Sequence, residues 1–103
     1  MSDLGFPFRP YHPGELLKEE LECRHISQKA FAKQLGVPYT AFNEVLNGKR
    51  PVSSELALLV EAALGVNAGL LLRMHTNYNL QVASQDKTFA KRLAKIRQMA
   101  AML

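Results

Sequence analysis

Between Ser27 and Gly48 the chain carries helical apolar spacing that is interrupted at Gly36 and again at Asn47-Gly48, so this stretch must form two short helices joined by a tight turn. Helices this short are not stable alone in water, and each has to bury a face against the rest of the molecule. Ser27 is a ready N-cap, its hydroxyl placed to accept from the unsatisfied amides of the turn that follows, and Phe31, Ala32 and Leu35 supply the apolar face. Gly36 stops this helix. After Val37, Pro38 suits the opening of the next one, in which Phe42, Val45 and Leu46 recur at helical spacing.

The flanks are helical too. Residues 1–12 hold prolines, a glycine and scattered aromatics without periodicity, which predicts an extended arm. From about Pro13 to Arg24, Leu16, Leu17 and Leu21 form one apolar stripe among Glu15, Lys18, Glu19, Glu20 and Glu22. The loop at 48–52 is polar and stiffened by Pro51. Ser53 then caps a fourth helix expected to turn Leu56, Leu59, Val60, Ala63 and Leu64 inward until Gly65 ends it. Asn67 is a further cap candidate, and Leu71, Met74, Tyr78 and Val82 mark a fifth helix whose end is left open by Asn77 and Asn79. In the tail, Phe89, Leu93, Ile96, Ala100 and Leu103 alternate steps of four and three, the pattern of an amphipathic helix. The expected organisation is an arm at 1–12, a domain at 13–84 and a C-terminal helix at 85–103 for packing, dimerisation or partner contact.

Composition agrees. At 103 residues and 48% hydrophobic content the chain has room for one modest core, and with no Trp that core rests on Leu, Ala and Val, which favours helices. The single Cys23 cannot form an internal disulfide, and the first residues lack the pattern of a secretion signal, so a cytoplasmic location is expected. No apolar stretch approaches the roughly 20 residues that span a bilayer. The net charge is +4, and its placement is uneven. Lys29, Lys33, Lys49 and Arg50 face only Glu44 across 27–50, and the tail adds Lys87, Lys91, Arg92, Lys95 and Arg97. Such asymmetry fits a polyanionic partner, although charge alone would equally describe a solvated surface.

Two helices joined by a sharp turn become a DNA-reading unit when a small residue sits at their crossing, a glycine at the turn and apolar anchors under the second helix. Ala32, Gly36, and Val37 with Phe42 and Val45 meet these conditions. The opposite face of the second helix carries Tyr39, Thr40, Asn43 and Glu44. For the anchors, core packing is the whole account. For the polar face, a merely solvated surface is the bland alternative.

The run Ser27-Gln-Lys-Ala-Phe-Ala-Lys-Gln-Leu-Gly-Val-Pro, followed by Val45-Leu-Asn-Gly-Lys-Arg-Pro-Val, resembles the Xre, or lambda-repressor-like, helix-turn-helix family. His12-Pro-Gly-Glu-Leu-Leu-Lys-Glu-Glu-Leu and the Leu56–Leu72 stretch narrow the resemblance to HigA-type antitoxins, also called VapI-like regulators. The resemblance implies an all-α fold of about five helices plus the C-terminal amphipathic helix. It implies that Gln28, Asn47, Lys49 and Arg50, with Lys29 beside them, hold phosphates and set register. Tyr39, Thr40, Asn43 and Glu44 would then enter the major groove, where hydroxyl and amide groups meet base edges and the Tyr ring can touch a thymine methyl. Two features depart from the family pattern: Pro38 stands where a Ser or Thr cap is common, and Glu44 is anionic in a negative groove, so it would read a cytosine amino group or exclude wrong sites.

One module of this size reads too few base pairs to find a genomic site, so a twofold homodimer on a palindromic operator is expected, with its surface drawn from Leu70–Tyr78 and the tail. The resemblance also implies a HigB-like partner, a RelE-like toxin that cleaves messenger RNA on ribosomes. A stand-alone regulator and a pure protein-interaction module are the alternatives. The tail itself has three readings, in order of preference a packing or dimer helix, a toxin-contact segment and a membrane-surface helix. Cys23, His25, His12 and His75 do not have zinc-ligand spacing, the Glu19, Glu20 and Glu22 cluster reads as a solvated face, and no phosphate loop or nucleophile-base set argues for catalysis. No cofactor or metal is expected.

Overall fold

The structure, a computed structural model, describes residues 10–103. The arm expected at 1–12 falls outside the described residues as far as Arg9. Among the described residues there are six helices and no strands: α1 Pro13–Cys23, α2 Gln28–Leu35, α3 Tyr39–Leu46, α4 Ser54–Leu64, α5 Ala68–Gln85 and α6 Lys87–Ala101. This is the all-α arrangement of five helices and a C-terminal sixth that was expected.

Local chemistry sets most boundaries. Pro13 occupies the first turn of α1, where its missing N–H costs nothing, and the preceding His12 is the N-cap, its Nδ1 accepting from the Gly14 N–H at 2.9 Å. The other end of α1 closes by an unexpected route. His25 takes a left-handed conformation, φ 56°, and Ile26 N–H returns to the Leu21 carbonyl at 2.9 Å, a helix stop usually built on glycine. Ser27 and Ser53 cap α2 and α4 by accepting from Ala30 and Leu56 N–H groups. Pro38 precedes α3 and contributes no side-chain cap. α5 receives two side-chain acceptors at its start, Glu61 for Ala68 N–H and Asn67 for Leu70 N–H, both at 2.8 Å. It then runs through Asn77 and Asn79 without a break.

The chain divides into two compact units, Tyr11–Thr76 and a second that contains Asn77–Leu103. In the first, Leu17 and Leu21 of α1, Phe31 and Ala32 of α2, Phe42, Val45 and Leu46 of α3, and Ala57 and Val60 of α4 form one buried cluster, extended by Val52, Leu56, Leu64, Ala68 and Leu71. The inward face of α4 differs from the expected one: Leu59 and Ala63 are exposed and Ala57 is fully buried. α4 packs against α2. In the second unit, Asp86 caps α6 by accepting from Phe89 N–H at 2.8 Å, and no residue of α6 is buried. No helix among the described residues is long and apolar enough to cross a membrane.

Candidate nucleic-acid interface

The site is built on the turn at Gly36. That residue adopts φ 75°, a left-handed conformation in which a side chain would be strained, and it both ends α2 and redirects the chain into α3. Phe31 and Phe42 lock the two helices together, their rings 5.7 Å apart and tilted by 50°. With Phe42, Val45 and Leu46 facing the core, the other side of α3 is turned outward by helical geometry alone. Tyr39 and Thr40 stand exposed on that side, and Asn43 and Glu44 lie half-buried at its flanks.

The far end of α3 is pinned by α1. Gly14 is buried so closely against the Val45 carbonyl and the Leu46 Cα that no Cβ fits there. Just before it, His12 is buried and its ring meets the His75 ring edge-on with centroids 5.1 Å apart. Burial pushes the His12 imidazole below its ordinary pKa, the neighbouring His75 lowers it further, and Glu15 acts in the opposite sense. A neutral imidazole is also what the cap requires, since Nδ1 must accept the Gly14 N–H. Sequence reasoning placed His12 at the end of the arm and missed this role. Only the Pro13-Gly14 pair hinted at a helix start.

The candidate DNA-contacting residues fall into three groups. Gln28, Asn43 and Asn47 are joined by hydrogen bonds: Asn43 Nδ2 donates to Gln28 Oε1 at 3.5 Å, and Asn47 Nδ2 donates to Asn43 Oδ1 at 3.1 Å and to the Asn43 carbonyl at 3.0 Å. Glu44 and Arg50 form an ion pair at 2.9 Å, so the carboxylate on the outward side of α3 carries its own counter-charge. Lys29 holds its ammonium 6.0 Å from the centre of the Tyr39 ring, at the outer limit of a cation–π contact. Thr40 and Lys49 are exposed, and the Lys49 N–H closes the end of α3 by donating to the Glu44 carbonyl at 2.8 Å. A residue absent from the expected set joins the first group: Lys18 of α1 donates to Asn47 Oδ1 at 3.0 Å. No local signal marks it, because the contact links positions 29 apart in sequence. Among the described residues no group of three or more His, Cys, Asp or Glu side chains is arranged to hold a metal ion.

A family model described as Helix-turn-helix matches residues 17–71, which takes in α1 from Leu17, the whole turn and α4. The chain belongs to the Xre-like helix-turn-helix family. Among its relatives, Virulence-associated protein I of Dichelobacter nodosus is 39% identical over 77 residues, covering 74% of this chain and 71% of that protein. Among solved structures, an addiction module antidote protein of the HigA family from Coxiella burnetii superposes with a TM-score of 0.75 at 31% identity, covering 85% of this chain and 95% of that one. Pseudomonas aeruginosa antitoxin HigA, solved with the higBA promoter, gives a TM-score of 0.72 at 26% identity, covering 87% and 94%. This helix-turn-helix chain therefore shares its fold with HigA antitoxins.

Proposed function

We propose that the chain is a sequence-specific DNA-binding repressor of the HigA type, which autoregulates its own operon and neutralises an mRNA-cleaving, HigB-like toxin in the cytoplasm. The observation that carries the DNA reading is the position of α3: a short helix anchored by Phe42, Val45 and Leu46, with Tyr39, Thr40, Asn43 and Glu44 on the side away from the core. Support comes from the likeness to an antitoxin solved on promoter DNA. Lys29, Lys49 and Arg50, with Gln28 and Asn47, would engage phosphates, and the α3 side chains would engage base edges.

A palindromic operator asks for a twofold dimer with recognition helices about 34 Å apart, one turn of duplex. Each unit has exposed apolar side chains that a second copy would cover, Leu70 in the first and Phe89, Ile96 and Met99 in the second. The protein itself has no part in cleaving RNA on this reading. It acts by occupying the operator and by sequestering the toxin.

Fluorescence anisotropy with duplex DNA from the gene's own upstream region, against a scrambled duplex, tests the DNA reading. Lys49→Ala should weaken binding to both duplexes and reduce the salt slope by about one, whereas Thr40→Ala should change the preferred sequence. Equal losses on both duplexes for both variants would refute this division of roles. Co-expression with the adjacent small open reading frame tests the antitoxin reading, which predicts co-purification and rescue of growth. Failure of both leaves a stand-alone regulator.

A further inference from the structure

Four polar side chains, from α1, α2, α3 and the C-cap of α3, form a directed line across the edge of the candidate interface. Lys18 Nζ donates to Asn47 Oδ1 at 3.0 Å, Asn47 Nδ2 donates to Asn43 Oδ1 at 3.1 Å, and Asn43 Nδ2 donates to Gln28 Oε1 at 3.5 Å. Asn and Gln amides can be turned end for end at little steric cost, so their orientation is decided by what they meet. Asn47 meets two groups with no choice of role. The Lys18 ammonium can only donate, and the Asn43 main-chain carbonyl, 3.0 Å from Nδ2, can only accept.

This clamp fixes the rest of the line. With its oxygen held by Lys18, Asn47 turns its NH2 toward the Asn43 side chain, which must answer with Oδ1. Asn43 then has its own NH2 directed at Gln28, whose oxygen is taken up in turn. Gln28 is left with its Nε2 amide hydrogens and one further lone pair on Oε1, and Asn43 keeps one N–H beyond the bond it gives to Gln28. The free N–H groups are donors. Phosphate oxygens and the N7 and O6 atoms of guanine in the major groove are acceptors, whereas the exocyclic amino group of cytosine is not.

We infer that Lys18 is a positioning residue for DNA recognition, whose ammonium orients the Asn47, Asn43 and Gln28 amides so that the interface presents donors to the duplex. The inference rests on the DNA-binding reading above and adds to it a residue on α1 that meets the reading helix only through tertiary packing. The competing account is that Lys18 is one more cation near the phosphates, which would add affinity for any sequence and carry no discrimination.

The full-length protein is titrated with the upstream and scrambled duplexes at several salt concentrations, as wild type, Lys18→Met and Lys18→Arg. In Lys18→Met only the Asn43 carbonyl is left to set the Asn47 amide, and loss of the other half of the clamp should cut the ratio of operator to scrambled affinity about three- to tenfold, the scale of one net hydrogen bond. Lys18→Arg, which also has donors only, should keep most of that ratio. In the DNA-free protein, the side-chain amide resonances of Asn43, Asn47 and Gln28 should move together in Lys18→Met and remain near wild type in Lys18→Arg. Equal losses on both duplexes with a salt slope lower by about one, or unmoved amide resonances, would overturn the inference while leaving DNA binding intact. A wild-type protein that fails to distinguish the duplexes would sink both readings.

Discussion

α3 spans eight residues and buries Phe42, Val45 and Leu46, whereas α6 spans fifteen and buries none. α3 has no side-chain cap at its start, while α6 has Asp86. The long helix is built from good helix formers, Lys, Arg, Ala, Leu and Gln, behind a cap, and local terms account for it. The short one is below the length at which a helix holds itself together, so its existence and its placement both come from tertiary burial. The same contacts that create α3 also aim it. α6 has exposed apolar side chains, Phe89, Ile96 and Met99 among them, and no buried residue to anchor it.

The strongest way to break this contrast is Phe42→Ala. Removing a fully buried aromatic that stacks on Phe31 should destabilise the first unit by about 3–5 kcal/mol. Native-state hydrogen exchange should then show protection collapsing across α1 to α4, with the α6 amides exchanging as before. If α3 kept its protection, burial would not be what holds it.

A second test uses acid. The folded His12 imidazole lies below its ordinary pKa because of burial and His75, so the folded state binds fewer protons than the unfolded chain. Its contribution is therefore complete above the ordinary value of 6.5 and is lost as pH falls through the depressed folded value. Protonation at Nδ1 would also abolish the bond from the Gly14 N–H and place a positive charge at the N-terminus of α1. His12→Asn keeps a capping side chain and removes the titration, so urea-unfolding curves for this variant should show less loss between neutral pH and pH 5 than wild type. At neutral pH the exchange should cost about 1 kcal/mol, from the lost packing of a buried ring and not from the cap. α6 contains no histidine, so the acid effect should spare it.

Much of the first unit was legible because its signals are local. Ser27, Gly36, Ser53 and Gly65 each act on their own turn, and the helices they bound appear where those residues put them. The buried face of α3 follows from spacing alone. What stayed hidden depends on neighbours distant in sequence. Nothing in the composition of α4 says that Ala57 and not Leu59 faces inward, because that choice is made by packing against helices distant in sequence. The left-handed turn at His25 falls on a non-glycine residue, where that conformation is uncommon. At the candidate interface the helix face was readable, but the pairing of Glu44 with Arg50 and the engagement of Asn47 by Lys18 were not, since both depend on where a loop or another helix comes to rest.

The smallest expected effect concerns Ile96, 53% exposed on the apolar stripe of α6. In dilute monomer, Ile96→Ala should change unfolding free energy by no more than about 0.5 kcal/mol, because an exposed side chain has little packing to lose and alanine is the better helix former. The same variant at high protein concentration should lower the dimer fraction seen by sedimentation, if α6 belongs to the surface between copies as proposed. The charge pattern sharpens the geometry of that contact. With Phe89, Leu93, Ile96 and Ala100 as the seam, Arg92 and Arg97 flank it, and a parallel pair of α6 helices would bring these arginines against each other. An antiparallel pair would set Arg92 near Met99 and Arg97 near Ala90 of the other copy. Arg92→Glu should accordingly strengthen a parallel pair and leave an antiparallel one nearly unchanged, so one substitution and one sedimentation series decide between them.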